Sequence, residues 1–415
     1  MDLTLFIFLC VYIALGVGRL PGFLVDRTGA ALVGAFAMLV AGSVTSQEAW
    51  VSIDYSVLGM LFGLMVVSAA FVVSGFYAWI GQRLAALDIS PPALLAVLIV
   101  AGGGLSALLT NDVVVVAMTP LLVSVTIARR LNPVPFLLAF CFAANTGSVG
   151  LVMGSPQNII VAQMLDLTFL GYVRVTALPA LISLPVVWGV VAWLYRGRWK
   201  LAQVPASPGA SATVEPVTLD RLETMKGAVI LAAVIGIFVF TSAPRELVAL
   251  GAAALLLVSR RVSSKDMLRQ VDGDLLLLIM GLFVVNAALA KTGMPQTLLN
   301  EARGLGLDLD NPLTLYWVGG ILSDLVSNNA AVMLLTPYLA HGAHAEALGA
   351  ALAVGTGFSS NLIIFGSLAG IIVVEQAARH GITISFGEFA RAGVPVTLAC
   401  MVLGACWIIF LTGHL

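Results

Sequence analysis

Long apolar runs follow one another along nearly the whole of this 415-residue chain. A membrane crossing takes about 20 apolar residues in a helix. Within the hydrocarbon core only helices and closed barrels satisfy their own backbone N–H and C=O groups. Runs at 3–18, 29–44, 56–80, 134–165, 172–195, 227–240, 247–258, 274–290, 348–378 and 394–412 are therefore expected to cross as helices, two of them (29–44 and 247–258) short for the task. Charged residues make up 10% of the chain and apolar residues 60%, against about 25% charged in soluble domains. Soluble enzyme classes are disfavoured. With a net charge of -1 and no basic tract, nucleic acid is not an expected partner; the lipid bilayer is. No Lys or Arg precedes the first run, so it reads as a span rather than a cleaved signal peptide. Cys10, Cys141, Cys400 and Cys406 are scattered in apolar sequence and behave as small hydrophobes, with no metal site implied.

Two further apolar stretches, 91–128 and 312–340, are broken midway by Thr110-Asn111-Asp112 and by Ser327-Asn328-Asn329, and read as helical hairpins. Between 199 and 226 the chain turns rich in Pro, Ala and Ser, a composition unable to bury enough apolar surface to fold alone. It reads as a cytoplasmic linker between an N-terminal repeat at 1–198 and a C-terminal one at 227–415. At an offset of 218, Gly63, Leu64, Val66, Val67, Ala69, Ala70 and Gly75 fall on Gly281, Leu282, Val284, Val285, Ala287, Ala288 and Gly293. At 217, Ser106, Leu108, Asn111, Val115, Thr119 and Pro120 fall on Ser323, Leu325, Asn328, Val332, Thr336 and Pro337, so the polar tips coincide and the chain is an internal duplication.

Lys and Arg concentrate in cytoplasmic loops. With re-entrant hairpins and the N-terminus outside, sixteen of the twenty lie inside; only Arg174, Arg245, Lys291 and Arg303 lie outside. Hairpins that crossed fully would remove that asymmetry. Each repeat then has five crossings, an odd number, so the second is inverted relative to the first. The expected fold is an all-α integral membrane protein in the inner (plasma) membrane, an inverted repeat of five crossings each plus two re-entrant helical hairpins and two broken helices, with both termini outside. Such repeats with broken helices are a transporter architecture.

The breaks are where chemistry is expected. Non-helical backbone at membrane depth needs protein or a watery cavity around it, and helix N-termini there favour anionic or polar groups. The first tip contributes Thr110, Asn111 and Asp112, the second Ser327, Asn328 and Asn329. The fourth span of each repeat is interrupted too, at Asn145-Thr146-Gly147-Ser148 and Gly154-Ser155-Pro156-Gln157-Asn158, and 212 residues later at Gly355 to Asn361 and Gly366-Ser367. Asn145, Thr146, Ser155, Asn158, Ser359, Asn361 and Ser367 thus join the tips as candidate substrate contacts. For a single tip, helix capping by Thr, Asn or Ser accounts for the residues equally well; two related tips favour a site. Asp112 and Asp324 are ionisable groups within apolar sequence and are the candidates for proton or ion coupling. Ala107 stands opposite Asp324, and a structural hydrogen bond is the other reading of that carboxylate. Glu375 is expected at the membrane interface, and the pair His341 and His344 in a solvated loop, since two histidines alone are no metal site.

These tips and breaks together resemble the ion transporter superfamily of arsenite efflux permeases, sodium/proton antiporters and divalent-anion symporters, over nearly the whole chain. Thr110-Asn111-Asp112 with Thr119-Pro120, Ser327-Asn328-Asn329 and Gly366-Ser367-Leu368-Ala369 are most similar to the arsenite-permease and anion-transporter branch. Asp112 and Asn329 depart from the Ser-Asn-Thr signature of the symporters, and Gly154 to Asn158 from the arsenite permeases. The resemblance implies a secondary transporter of a small inorganic ion or anion, arsenite-like efflux foremost, coupled to protons or the membrane potential. A sodium/proton antiporter and a citrate- or dicarboxylate-type transporter are the alternatives. It also implies a homodimer. No nucleotide-binding motif occurs, so no cofactor is expected and ATP drive would require a separate ATPase subunit. No nucleophile-base set accompanies Asp112 and Asp324, which argues against a membrane enzyme.

Overall fold

A computed structural model describes residues 3–20, 22–201, 218–340, 342 and 344–413. Among them are twenty α-helices, and they fall into two matching series. The first is α1 (Leu3–Val17), α2 (Arg27–Val40), α3 (Ser46–Ser52), α4 (Tyr55–Val73), α5 (Phe76–Ala85), α6 (Pro91–Leu108), α7 (Asn111–Ala128), α8 (Pro133–Ser148), α9 (Pro156–Met164) and α10 (Phe169–Leu194). The second is α11 (Arg221–Phe240), α12 (Arg245–Leu257), α13 (Ser264–Leu268), α14 (Gly273–Lys291), α15 (Met294–Gly304), α16 (Pro312–Val326), α17 (Asn328–Leu335), α18 (Ala345–Ser359), α19 (Leu368–Arg379) and α20 (Phe386–Thr412). Seven of the described helices are long and apolar enough to cross a membrane. Large apolar side chains that a soluble protein would bury stand exposed on the outer helices, among them Phe36, Val40, Phe240 and Leu255, as lipid-facing positions require.

The duplication is repeated in small details. Thr45 and Glu48 form a capping box at the start of α3, and Ser263 caps α13 through Asp266, 218 residues on. Glycines in the left-handed region, Gly75 and Gly293, end α4 and α14 at the same offset. Gly75 corrects the sequence reading there, because the run at 56–80 is two helices: the left-handed turn that glycine adopts without strain stops α4 and redirects α5.

The halves hold each other reciprocally. α4 packs on α12 and α14 on α2. A Cβ added at Gly63 would press on the backbone of Ala249, and one at Gly281 would lie 2.8 Å from the Ala31 carbonyl carbon; both pairs are related by the 218 offset. Two such swapped contacts are what a two-fold relation produces, consistent with an inverted duplication. A second body gathers the hairpins and broken helices. Within it α6 packs on α8 and α16 on α18, with Gly102 and Gly103 on one side and Gly319 and Gly320 on the other admitting the close approach. The bodies meet where α1 touches α16, α14 touches α17, and α4 touches α7 and α9.

The linker expected at 199–226 falls mainly on residues 202–217, outside the described ones, as does His341. Helix α11 opens six residues ahead of the apolar run, at Arg221, because the Asp220 carboxylate accepts from the N–H groups of Leu222 and Glu223. The last helix starts at Phe386 rather than near 394 for the same kind of reason, with Ser385 capping the Glu388 N–H.

Candidate functional site

Both hairpin tips leave the helical path for one or two residues. At the first, Leu109 and Thr110 are extended or nearly so before α7 begins. At the second, Ser327 alone makes the turn, at φ 99° and ψ 154°, a region populated almost only by glycine and costing about 1–3 kcal/mol for any other residue. The broken spans behave alike. In each, a 3-10 turn (Val152–Gly154, Ile364–Gly366) leads into an extended Ser155 or Ser367, and α9 or α19 follows. Space is short at both turn ends: a Cβ at Gly154 would run into the carbonyl of Ser148, and one at Gly366 would lie 2.9 Å from Asp324 Oδ1 and 3.1 Å from the Ser360 carbonyl.

These four helix starts border one cavity of about 840 Å³. Asn111 and Asp112 of the first tip, Ser327, Asn328 and Asn329 of the second, Pro156 and Gln157 of α9, and Gly366, Ser367 and Leu368 of α19 line it. Whether Thr110, Ser327, Ser155 and Ser367 act as ordinary caps can be decided from their bonds. Only Ser367 does so, accepting from the Gly370 N–H at 3.0 Å. The side chains of Thr110, Ser327 and Ser155 accept nothing from their helices. At α7 the Asn111 side chain accepts from the Asp112 N–H at 2.9 Å, so two helix N-termini, those of α9 and α17, lack a side-chain cap beside the polar cavity, where free N–H groups and helix dipoles suit an acceptor-bearing solute.

Behind the lining runs an amide network joining the halves. Asn111 Nδ2 donates to Asn145 Oδ1 at 3.4 Å, and Asn145 Nδ2 donates to Asn361 Oδ1 and Ser367 Oγ, both at 2.9 Å. In the second repeat Asn328 Nδ2 donates to Ser360 Oγ at 2.8 Å. Thr110 is tied to α4, its N–H donating to Ser68 Oγ at 3.1 Å.

Of the residues expected from sequence, Asn111, Asp112, Ser327, Asn328, Asn329 and Ser367 line the cavity, and Asn145 and Asn361 stand one layer behind. Thr146 and Ser359 turn inward to carbonyls of their own helix, Phe142 and Thr356, the usual alternative for hydroxyls near a helix end. Asn158 closes the first break by donating to the carbonyls of Ser148 and Leu151. Ser155 is fully buried with its hydroxyl unpaired. Asp324 lies off the cavity, one carboxylate oxygen unpaired beside Gly366. Sequence reading passed over Gln157, although it directly follows the Ser-Pro helix start, and the acids Asp26, Asp272 and Asp274, which reach the cavity from loops remote in sequence.

The cavity lining is acidic. Asp26, Asp112, Asp272, Asp274 and Glu375 border the cavity against two cations, Arg19 and Arg27. Asp26 and Asp272 are partly engaged in capping α2 and α14, and Arg27 Nε donates to the Leu15 carbonyl.

The chain is similar over nearly its whole length to proteins named as transporters. Along 408 residues the chain is 29% identical to an uncharacterized transporter of Mycobacterium tuberculosis, covering 92% of this chain and 94% of that one. It is 26% identical over 449 residues to the silicon efflux transporter LSI3 of Oryza sativa subsp. japonica, covering 92% of each. Its fold matches the crystal structure of the Alcanivorax borkumensis YdaH transporter with a TM-score of 0.62 at 17% identity, over 99% of this chain and 98% of that one. The model of the CitMHS family, described as citrate transporter, matches residues 10–355, and with the all-helical fold and its apolar outer helices this places the chain among integral membrane transporters, as a member of the CitMHS family.

Proposed function

We propose that this protein moves a small inorganic solute of the arsenite-like, hydroxylated kind by alternating access, and couples that movement to protons through Asp112. The observation that carries the reading is the gathering of four helix N-termini, two without a side-chain cap, on one cavity. Asn111, Asn328 and Ser367, which line the cavity, are the proposed solute contacts, with Ser155 buried behind them as a further one, and Asp324 a second coupling group. The cavity adjoins Arg19 and Arg27, which the charge distribution assigns to the cytoplasm. On that orientation, in the plasma membrane with both termini outside, the site faces inward, and the repeats at 1–198 and 227–415 flank it around the linker at 199–226. Five carboxylates against two guanidinium groups favour a solute of low net charge over a free tricarboxylate.

The test uses purified protein in proteoliposomes loaded with a pH-sensitive dye and challenged in turn with sodium, arsenite, silicate, citrate and dicarboxylates. Proton movement with arsenite or silicate is expected. Movement with sodium or lithium alone would replace this reading with a sodium/proton antiporter, and movement with citrate alone with an organic-anion transporter.

A further inference from the structure

The two broken helices differ in one way that the duplication does not explain. Gln157, second residue of α9, is only 4% exposed, lines the cavity and makes no hydrogen bond with any described residue. Its counterpart 212 residues on is Ala369, fully buried and apolar. Ser155 and Ser367 divide the same way: the second caps its helix and receives the Asn145 amide, while the first is buried and unpaired. The Gln157 amide opens on the cavity with no protein partner, so its donor and acceptor are left for what enters there.

We infer that Gln157 is a specificity-determining residue, the amide that recognises the hydroxylated solute from the wall contributed by the first repeat. The inference rests on the transport reading above. A carboxamide presents an NH₂ donor and a carbonyl acceptor side by side. A weakly acidic hydroxylated solute offers both O–H groups and acceptor oxygens and engages both ends. A fully ionised carboxylate engages only the NH₂ and sets its charge against Gln157 Oε1, which then stays unpaired. A site built around such a pair rejects the solute that leaves one half unmet.

The experiment measures initial rates of arsenite and silicate uptake into proteoliposomes for the wild type, Gln157→Leu and Gln157→Asn, with citrate as comparison. Gln157→Leu is expected to raise KM for arsenite or silicate about five- to ten-fold, the worth of one hydrogen bond, with Vmax little changed. Gln157→Asn, which keeps the amide on a shorter stem, is expected to recover part of that loss. If Gln157→Leu fails to purify as a monodisperse protein, Gln157→Met serves in its place. A wild-type KM in the folded Leu or Met variant overturns the inference and leaves the transport reading standing. A wild type that moves neither solute overturns both.

Discussion

The first hairpin tip and the second have the same backbone plan and opposite chemistry. Tip one has relaxed dihedrals, a carboxylate at Asp112 and a hydrogen bond from Thr110 to Ser68 on α4. Tip two has a strained Ser327, an amide at Asn329 in the carboxylate's place, and Asn286 where α4 has Ser68. Asn286 reaches past the tip to the Met333 carbonyl and receives the Tyr12 hydroxyl. The arms behind the tips differ as well: α7 runs on through Pro120 to Ala128, whereas α17 stops at Leu335 and passes Pro337 in a 3-10 turn. Duplication thus preserved where the chain turns while allowing the groups at the turn to diverge. At the turn itself the first tip carries the carboxylate and the second carries neutral amides, while on the incoming arms the order reverses, with Asp324 in the second repeat and Ala107 in the first.

The most severe way to test that division is to erase it. Asp112→Asn makes both tips neutral and is expected to abolish the pH dependence of transport while the protein still folds; dye-loaded proteoliposomes at several external pH values report it, and an unchanged profile would remove Asp112 from the coupling role. Next come the turn glycines. Gly154→Ala drives a methyl into the Ser148 backbone and is expected to cost about 1–3 kcal/mol. Gly366→Ala meets the Asp324 carboxylate 2.9 Å away and the Ser360 carbonyl at 3.1 Å, and costs less because a side chain can swing aside. Thermal unfolding in detergent compares them, and equal losses would show that the second break is as rigidly held as the first.

Smaller and of opposite sign is Ser327→Gly. Removing the side chain from a glycine-only conformation returns strain of about 1 kcal/mol, so the melting temperature is expected to rise, whereas Thr110→Gly at the relaxed tip lowers it by freeing the unfolded chain and losing the Ser68 contact. The weakest contrast lies outside the membrane. Glu48 is held at about 2 by the Lys291 ammonium and then by the N–H and hydroxyl of Thr45, while its counterpart Asp266 accepts from the Ser263 hydroxyl and meets its neighbour Arg269 at 3.5 Å in place of a cation from the other half. A depressed carboxyl stabilises the fold above its ordinary pKa and stops doing so as pH falls through the folded value. Glu48→Gln is therefore expected to lower the melting temperature by about one degree, equally from pH 8 to pH 5, with the difference shrinking below pH 4.

What could be read from the sequence follows from what a bilayer forbids. Polar residues inside long apolar runs have few structural explanations, so the tips at Asn111 and Asn328 and the breaks at Ser155 and Ser367 stood out, and the structure has helix starts at each. Rotation about a helix axis was not legible. Thr146 lies one residue from Asn145 yet turns to the Phe142 carbonyl, while Asn145 bridges the two halves. Gln157 was hidden for a related reason: it sits within the break, directly after the Ser-Pro helix start, but which residue of that first turn lines the cavity depends on the helix's rotation. The stop at Gly75 was masked because apolar residues continue on both sides of it.

The paired contact of Gly63 with Ala249 and Gly281 with Ala31 has the form of a subunit boundary. Both ends of that boundary lie in one polypeptide, so a substitution alters one end and leaves the other as it is. Ser68 and Asn286, five residues beyond those glycines, show the result: they hold equivalent places and make different bonds, while the glycine contacts match.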